Sequence, residues 1–200
     1  MEFWELMRRR HSGGTELPYD AEIEYLQSSG TQYIDSGIRA TGDLSYKCEV
    51  ACTSRNVAGA IYKTGNTYIR HHLAPTNATN FHYNTGNTGN TGVSTNDVFY
   101  TYALNVTTGK CTKNTTDYNF TPATFDCYCN FGIFGRISSD STLYDLGYCK
   151  IKYFEISVNG TKVRDFIPVR VGSIGYMYDK VSGQLFGNAG TGNFILGNDK

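Results

Sequence analysis

Apolar and polar residues alternate with a period of two through much of this chain, the pattern of strands that bury one face. The pattern is clearest over residues 149–190, where Ile151, Tyr153, Glu155 and Ser157 fall on one face and Lys152, Phe154, Ile156 and Val158 on the other. Asn159-Gly160 follows, a dipeptide that accepts positive φ at both central positions of a tight turn, so the chain is expected to return through Thr161, Val163 and Asp165. Pro168 lacks an N–H and is expected to limit how far this second strand runs as a central strand. A second hairpin reads over residues 174–178, turns at Ser182-Gly183 and resumes over Gln184–Phe186. Two hairpins in succession predict an antiparallel sheet.

Earlier in the chain, residues 22–26 alternate as a strand, Ser28-Ser29-Gly30 turns, and residues 32–34 resume. Leu44–Cys52 is a longer strand with Leu44, Tyr46, Cys48, Val50 and Cys52 on the face expected to be core. Further strands are predicted over 57–63, Thr67–Leu73, 97–106 and 130–136, with hairpin signals at Thr64-Gly65-Asn66 and Thr108-Gly109. Three successive Asn-Thr-Gly triplets over residues 84–92 lack apolar positions and predict a solvent-exposed loop. Residues 2–10 differ in kind: Phe3, Leu6 and Met7 share one side of a helical spacing with Trp4 nearby, acidic residues come early and arginines late. A short amphipathic helix there, or a frayed terminus, precedes a Gly-rich connector at His11-Ser12-Gly13-Gly14. The expected organisation is an anchor and hinge over residues 1–17 and one β domain over 18–200.

Composition adds limits. Two hundred residues suit a single β domain, and 22 Gly and 16 Tyr against one Trp suit short strands joined by many tight turns. Formal net charge is zero and Arg8-Arg9-Arg10 is the only basic run, so no nucleic-acid partner is expected. No apolar stretch approaches the roughly 20 residues that span a bilayer, and no membrane span is predicted. The first residues place apolar before basic side chains, the reverse of a secretory signal, so the chain is expected not to be exported. On that footing Cys48, Cys52, Cys111, Cys127, Cys129 and Cys149 read as free, mostly buried thiols.

Two regions together carry a family resemblance: EYLQSSGTQYIDSG at residues 24–37, and RDFIPVR at 164–170 with GYMYD at 175–179, VSGQLF at 181–186 and NAGTG at 188–192. The chain resembles the laminin-G-like, concanavalin A-like jelly-roll domains of phage and prophage structural proteins and of gut-bacterial surface proteins. The resemblance implies an all-β, two-sheet antiparallel jelly-roll sandwich whose first and last segments lie close together, used for glycan binding, adhesion or the outer knob of a fibre. The function expected from it is a non-enzymatic component of the phage particle surface, a head or tail fibre or decoration knob. Phe3, Trp4, Leu6 and Met7 would hold it to other virion proteins, a homotrimer is expected by analogy with fibres, and the knob would meet a host-surface glycan. The alternative is a bacterial cell-surface carbohydrate-binding module, which requires an export route.

Candidate chemistry is sparse. Glucanases of the resembling fold set their paired carboxylates along one strand face, and retaining hydrolysis needs such a pair about 5 Å apart. Glu22 and Glu24 share a face, but the next member is Leu26, and Glu49 and Glu155 stand alone on their strands. No catalytic residue is assigned. The spacing of Cys127 with Cys129 and the adjacency of His71 and His72 do not match a zinc site. Asp140, Asp145 and Asp179 offer oxygen ligands for calcium but read as solvated turn carboxylates, so no metal and no cofactor is expected. Sugar binding needs an aromatic face beside planar polar groups. Tyr68, Arg70 and His72 share one face of a predicted strand, and Tyr83 and Asn84 lead into the Asn-Thr-Gly loop, so these five form the candidate ligand patch. Ordinary sheet-surface tyrosines are the competing reading.

Overall fold

A computed structural model describes residues 17–53, 56–65, 67–75, 81–88 and 92–200. The helix expected over residues 2–10, with Phe3, Trp4, Leu6 and Met7, lies outside the described residues. Every regular element described is a strand. In chain order these are β1 (Ala21–Glu22), β2 (Leu26–Ser29), β3 (Ile34–Thr41), β4 (Leu44–Cys52), β5 (Ala58–Thr64) and β6 (Thr67–Leu73). There follow β7 (Phe81–Asn84), β8 (Gly86–Thr88), β9 (Tyr100–Asn105), β10 (Lys110–Lys113), β11 (Thr116–Asn119), β12 (Asp126–Ile133) and β13 (Arg136–Ser138). The last are β14 (Leu143–Tyr144), β15 (Tyr148–Val158), β16 (Thr161–Val171), β17 (Ile174–Asp179), β18 (Gln184–Phe186) and β19 (Ile195–Leu196).

They form two sheets. The larger runs β11-β10-β9-β4-β15-β16-β17-β18, with β1 beside β16 and β2 bridging β15 to β19. The smaller runs β14-β13-β5-β6-β7-β8, with β12 joining β5 to β3. Among the described residues all strand pairings are antiparallel except that of β13 with β5. The sheets pack face to face as in a β-sandwich. Tyr46 on β4 meets Phe131, His71 and Phe81 of the smaller sheet at ring-centroid distances of 5.5, 5.7 and 6.3 Å. The His71 Nε2–H crosses the core to donate to the Leu44 carbonyl at 2.7 Å.

β4 buries Leu44, Tyr46, Cys48, Val50 and Cys52 against this core, as its alternation predicts. β15 departs from strict alternation. Ile151 pairs with Val50 but Tyr153 pairs with Glu49, so Lys152 is an extra residue and the strand bulges there. The bulge switches parity, and Cys149 and Ile151 before it share the core face with Phe154 and Ile156 after it. The hairpin beyond has the expected two-residue turn, with Asn159 at φ 50° and Gly160 at 77°. Pro168 does not stop β16, which continues to Val171. Its pairing with β15 is complete by Phe166, and the Pro168 carbonyl then accepts from the Ile23 N–H. In a strand the N–H and C=O of one residue point the same way, so the missing N–H falls where β16 leaves one partner for the next.

Three other expectations change. Residues 22–26 do not form one strand, because β1 pairs with β16 and β2 pairs with β15 and β19. Residues 130–136 are broken at Phe134, at φ 69°, where β12 ends and the chain turns into β13. The Asn-Thr-Gly tract is partly a strand rather than a loop: Asn84 at φ 58° opens a two-residue turn, and β8 pairs back onto β7. The six cysteines are free thiols, five of them buried. The described ends of the chain meet, with Ile23 bridged to Asp199 and the Lys200 N–H donating to the Glu22 carbonyl.

Candidate functional site

Strand registry on the smaller sheet gathers one set of side chains on its outer face. β6 turns Ile69, His71 and Leu73 to the core, which leaves Tyr68, Arg70 and His72 on the other face. Lys63 on β5 lies directly opposite Tyr68, and Ser138 on β13 lies beside Ile61. Arg136 and Tyr144 face each other across β13 and β14. Ile61, Lys63, Tyr68, Arg70, Arg136, Ser138 and Tyr144 thus line a cleft of about 220 Å³. Tyr68 and Tyr144 present their rings at its rim, 43% and 40% exposed.

A buried imidazole pair adjoins Arg136. His72 is buried and stacks on His82 at 4.0 Å, with its Nδ1 3.5 Å from a guanidinium nitrogen of Arg136. Burial first, then the neighbouring His82 and Arg136, hold His72 well below the usual histidine range, so the ring is neutral at physiological pH. The charge of the cleft therefore comes from Lys63, Arg70 and Arg136. Arg136 forms an ion pair with Asp145 at the rim. Its guanidinium is drawn down to about 10 by burial and by the like charge of Arg70, and Arg70 is itself lowered by burial. The Nε groups of both arginines are buried and have no hydrogen-bond partner among the described residues. Lys63 rests over the Tyr68 ring at 5.8 Å. Neither Lys63 nor Arg70 has a carboxylate within ion-pair distance among the described residues, whereas Lys150, Lys152, Lys162 and Lys180 by the larger sheet each have one.

Of the five residues proposed from sequence for a ligand patch, Tyr68 and Arg70 line this cleft, and His72 does not line it but lies against Arg136. Asn84 is the registry partner of Arg70 at the end of β7. Tyr83 is not with them. It sits on the core side of β7, where its hydroxyl donates to the carbonyls of Gly42 and Ala123 at 2.6 and 2.9 Å and accepts from the Ala123 N–H. One residue along a strand reverses the face, which separates Tyr83 from its neighbours. Sequence reasoning missed Lys63, although its period-2 spacing from Ile61 was visible. It also missed Arg136 and Tyr144, which reach the cleft only through the parallel pairing of β13 with β5.

Of the acidic residues weighed from sequence, Asp145 meets Arg136 at the rim and others lie elsewhere. Glu49 pairs with Lys152 and Glu155 with Lys162 on the outer face of the larger sheet. Asp179 is not a solvated turn carboxylate: it is fully buried, accepts from the N–H groups of Asp165, Val181 and Ser182 and from the Ser182 hydroxyl, and lies 3.5 Å from Arg164. Asp140 is exposed and caps its own turn through the Thr142 N–H. Among the described residues no three His, Cys, Asp or Glu side chains gather as metal ligands would, and no helix is long and apolar enough to cross a membrane. Comparison of the chain with protein-family models, curated proteins and solved structures finds no match.

Proposed function

We propose that this chain is a non-enzymatic adhesion domain, a lectin-like jelly-roll knob that binds surface glycans through the outer face of its smaller sheet. The observation that carries the reading is the pairing of exposed Tyr68 and Tyr144 rings with the Arg70 and Arg136 guanidinium groups around one cleft. Aromatic faces accept the C–H side of a sugar ring, and planar guanidinium groups hydrogen-bond its oxygens. Binding rather than hydrolysis is favoured because hydroxyls, cations and one aliphatic side chain line the cleft, whereas glycosidic cleavage calls for a carboxylate pair.

The biological setting proposed is the surface of a phage particle, as a head or tail fibre or decoration component joined to other virion proteins through residues 1–17. Its support is the resemblance of residues 24–37 and 164–192 to such domains, together with the amphipathic spacing of Phe3, Trp4, Leu6 and Met7. The same resemblance extends to gut-bacterial surface proteins, which makes a cell-surface carbohydrate-binding module the second reading. The test is binding of the full chain to an immobilised panel of neutral and acidic glycans beside the Tyr68→Ala, Tyr144→Ala double variant. Retention of at least one glycan is expected, with loss of roughly tenfold or more in the variant at an unchanged unfolding midpoint, the order seen when stacking aromatic anchors are removed. Equal retention by both proteins, or retention of no glycan, overturns the assignment.

A further inference from the structure

We infer that the ligand of this cleft carries a carboxylate, so that the sugar recognised is an acidic one of the uronic or sialic type. The inference rests on the glycan-binding reading and adds the charge of the ligand to it. Three cations, Lys63, Arg70 and Arg136, border a cleft at which Asp145, ion-paired with Arg136 at the rim, is the only carboxylate within ion-pair distance among the described residues. Like charges in partly desolvated positions repel, and a bound anion relieves that repulsion.

Hydrogen bonding points the same way. Arg70 and Arg136 each keep a buried Nε–H without a partner among the described residues. These Nε groups are closed to solvent, so a carboxylate would be met by the guanidinium surface that lines the cleft, through charge-assisted N–H···O bonds. His72, neutral through burial, lies against Arg136 without adding charge of its own. Tyr68 and Tyr144 at the rim then give the sugar ring a surface on which to lie, which a free inorganic anion would not use.

The experiment is calorimetric titration of the full chain with a galacturonate tetrasaccharide, a hyaluronan tetrasaccharide and sialyllactose. Each is compared with its carboxyl methyl ester, with lactose, and with sodium acetate and sodium sulfate alone. The expected result is that at least one acidic oligosaccharide binds, that its neutral ester binds about tenfold or more weakly, and that Arg70→Gln shows a loss of similar size, as for removal of a charge-assisted hydrogen bond. An ester that binds as tightly as its acid overturns the inference while leaving glycan binding in place, and this comparison needs no variant. So does binding of lactose without binding of any acid. Acetate or sulfate binding as tightly as the oligosaccharide makes the cleft a small-anion site and overturns the sugar assignment. Failure of every saccharide overturns both readings.

Discussion

His71 shows how burial alone sets the state of a residue. Its ring lies in the core between Tyr46, Tyr83 and Phe131, where Nε2–H is satisfied by the Leu44 carbonyl and Nδ1 has no donor facing it. A proton on Nδ1 would put an unpaired charge in an apolar setting, and burial lowers the pKa from 6.5 to about 4 despite the carbonyl partner, which raises it. The sign follows. As pH falls the unfolded chain takes up this proton near 6.5 and the folded chain only near 4, so the contribution is complete above pH 6.5 and is lost on the way down to about 4. Its size is roughly 3 kcal/mol. Urea unfolding at pH 7 and pH 4 is expected to show this loss, and His71→Gln, which keeps an N–H donor for Leu44, is expected to be less sensitive to pH by about that amount. An unchanged pH dependence in His71→Gln would place the acid sensitivity elsewhere. His71 could be read from sequence only as the residue facing away from His72; its role depends on the opposite sheet reaching it. Asp179 teaches the same lesson, since a carboxylate after a strand looks solvated until Arg164 and the backbone of the next turn close over it.

Among the elements, β5 and β6 couple the cleft to the core through a single glycine. A Cβ at Gly59 would stand 2.2 Å from the Cβ of His72 and 2.7 Å from the His71 carbonyl oxygen. Any side chain there pushes β6 outward at His72, the ring beneath Arg136. Gly59→Ala is therefore expected to destabilise the fold by about 1–3 kcal/mol, the usual range for overpacking. It is also expected to weaken glycan binding, and stability close to the parent with full binding would refute this coupling. Hairpins were the most legible elements: Asn159-Gly160 encodes its turn in two adjacent residues, and Ser182-Gly183 marks the four-residue loop between Asp179 and Gln184. Strand parity was less so. The extra residue at Lys152 looks like any other position in an alternating run, and only the facing register of β4 shows it to be a bulge. β3 and β12 went largely unread because their pairing is with each other across the chain and carries its own irregularities. The cleft divides in the same manner: Tyr68 and Arg70 follow from period 2 within one strand, whereas Arg136 arrives by a parallel pairing that no local pattern announces.

On the proposed reading, the two sheets of the whole molecule would take different tasks. The first described residues join the larger sheet, where the Asp20 N–H donates to the Arg170 carbonyl and β1 lies along β16, while the cleft opens on the outer face of the smaller sheet. The bonds that close the domain, Ile23 to Asp199, Glu22 to Lys200 and Arg170 to Asp199, all lie within residues 20–200, so the domain is expected to fold without residues 1–10. This separates assembly from binding in one measurement. Light scattering of the full chain beside the chain lacking residues 1–10, at matched concentrations, is expected to give a mass near three chains for the first and one for the second, with the same affinity per chain for the glycan. A monomer in both cases overturns self-trimerisation through this segment and leaves, on the proposed virion setting, docking to another protein, which incorporation of the truncated chain into particles would reveal by its loss. A trimer in both cases moves the contact onto the sandwich itself, where β8, β11, β14 and β18 stand at the ends of the main strand orders as edges open to pairing.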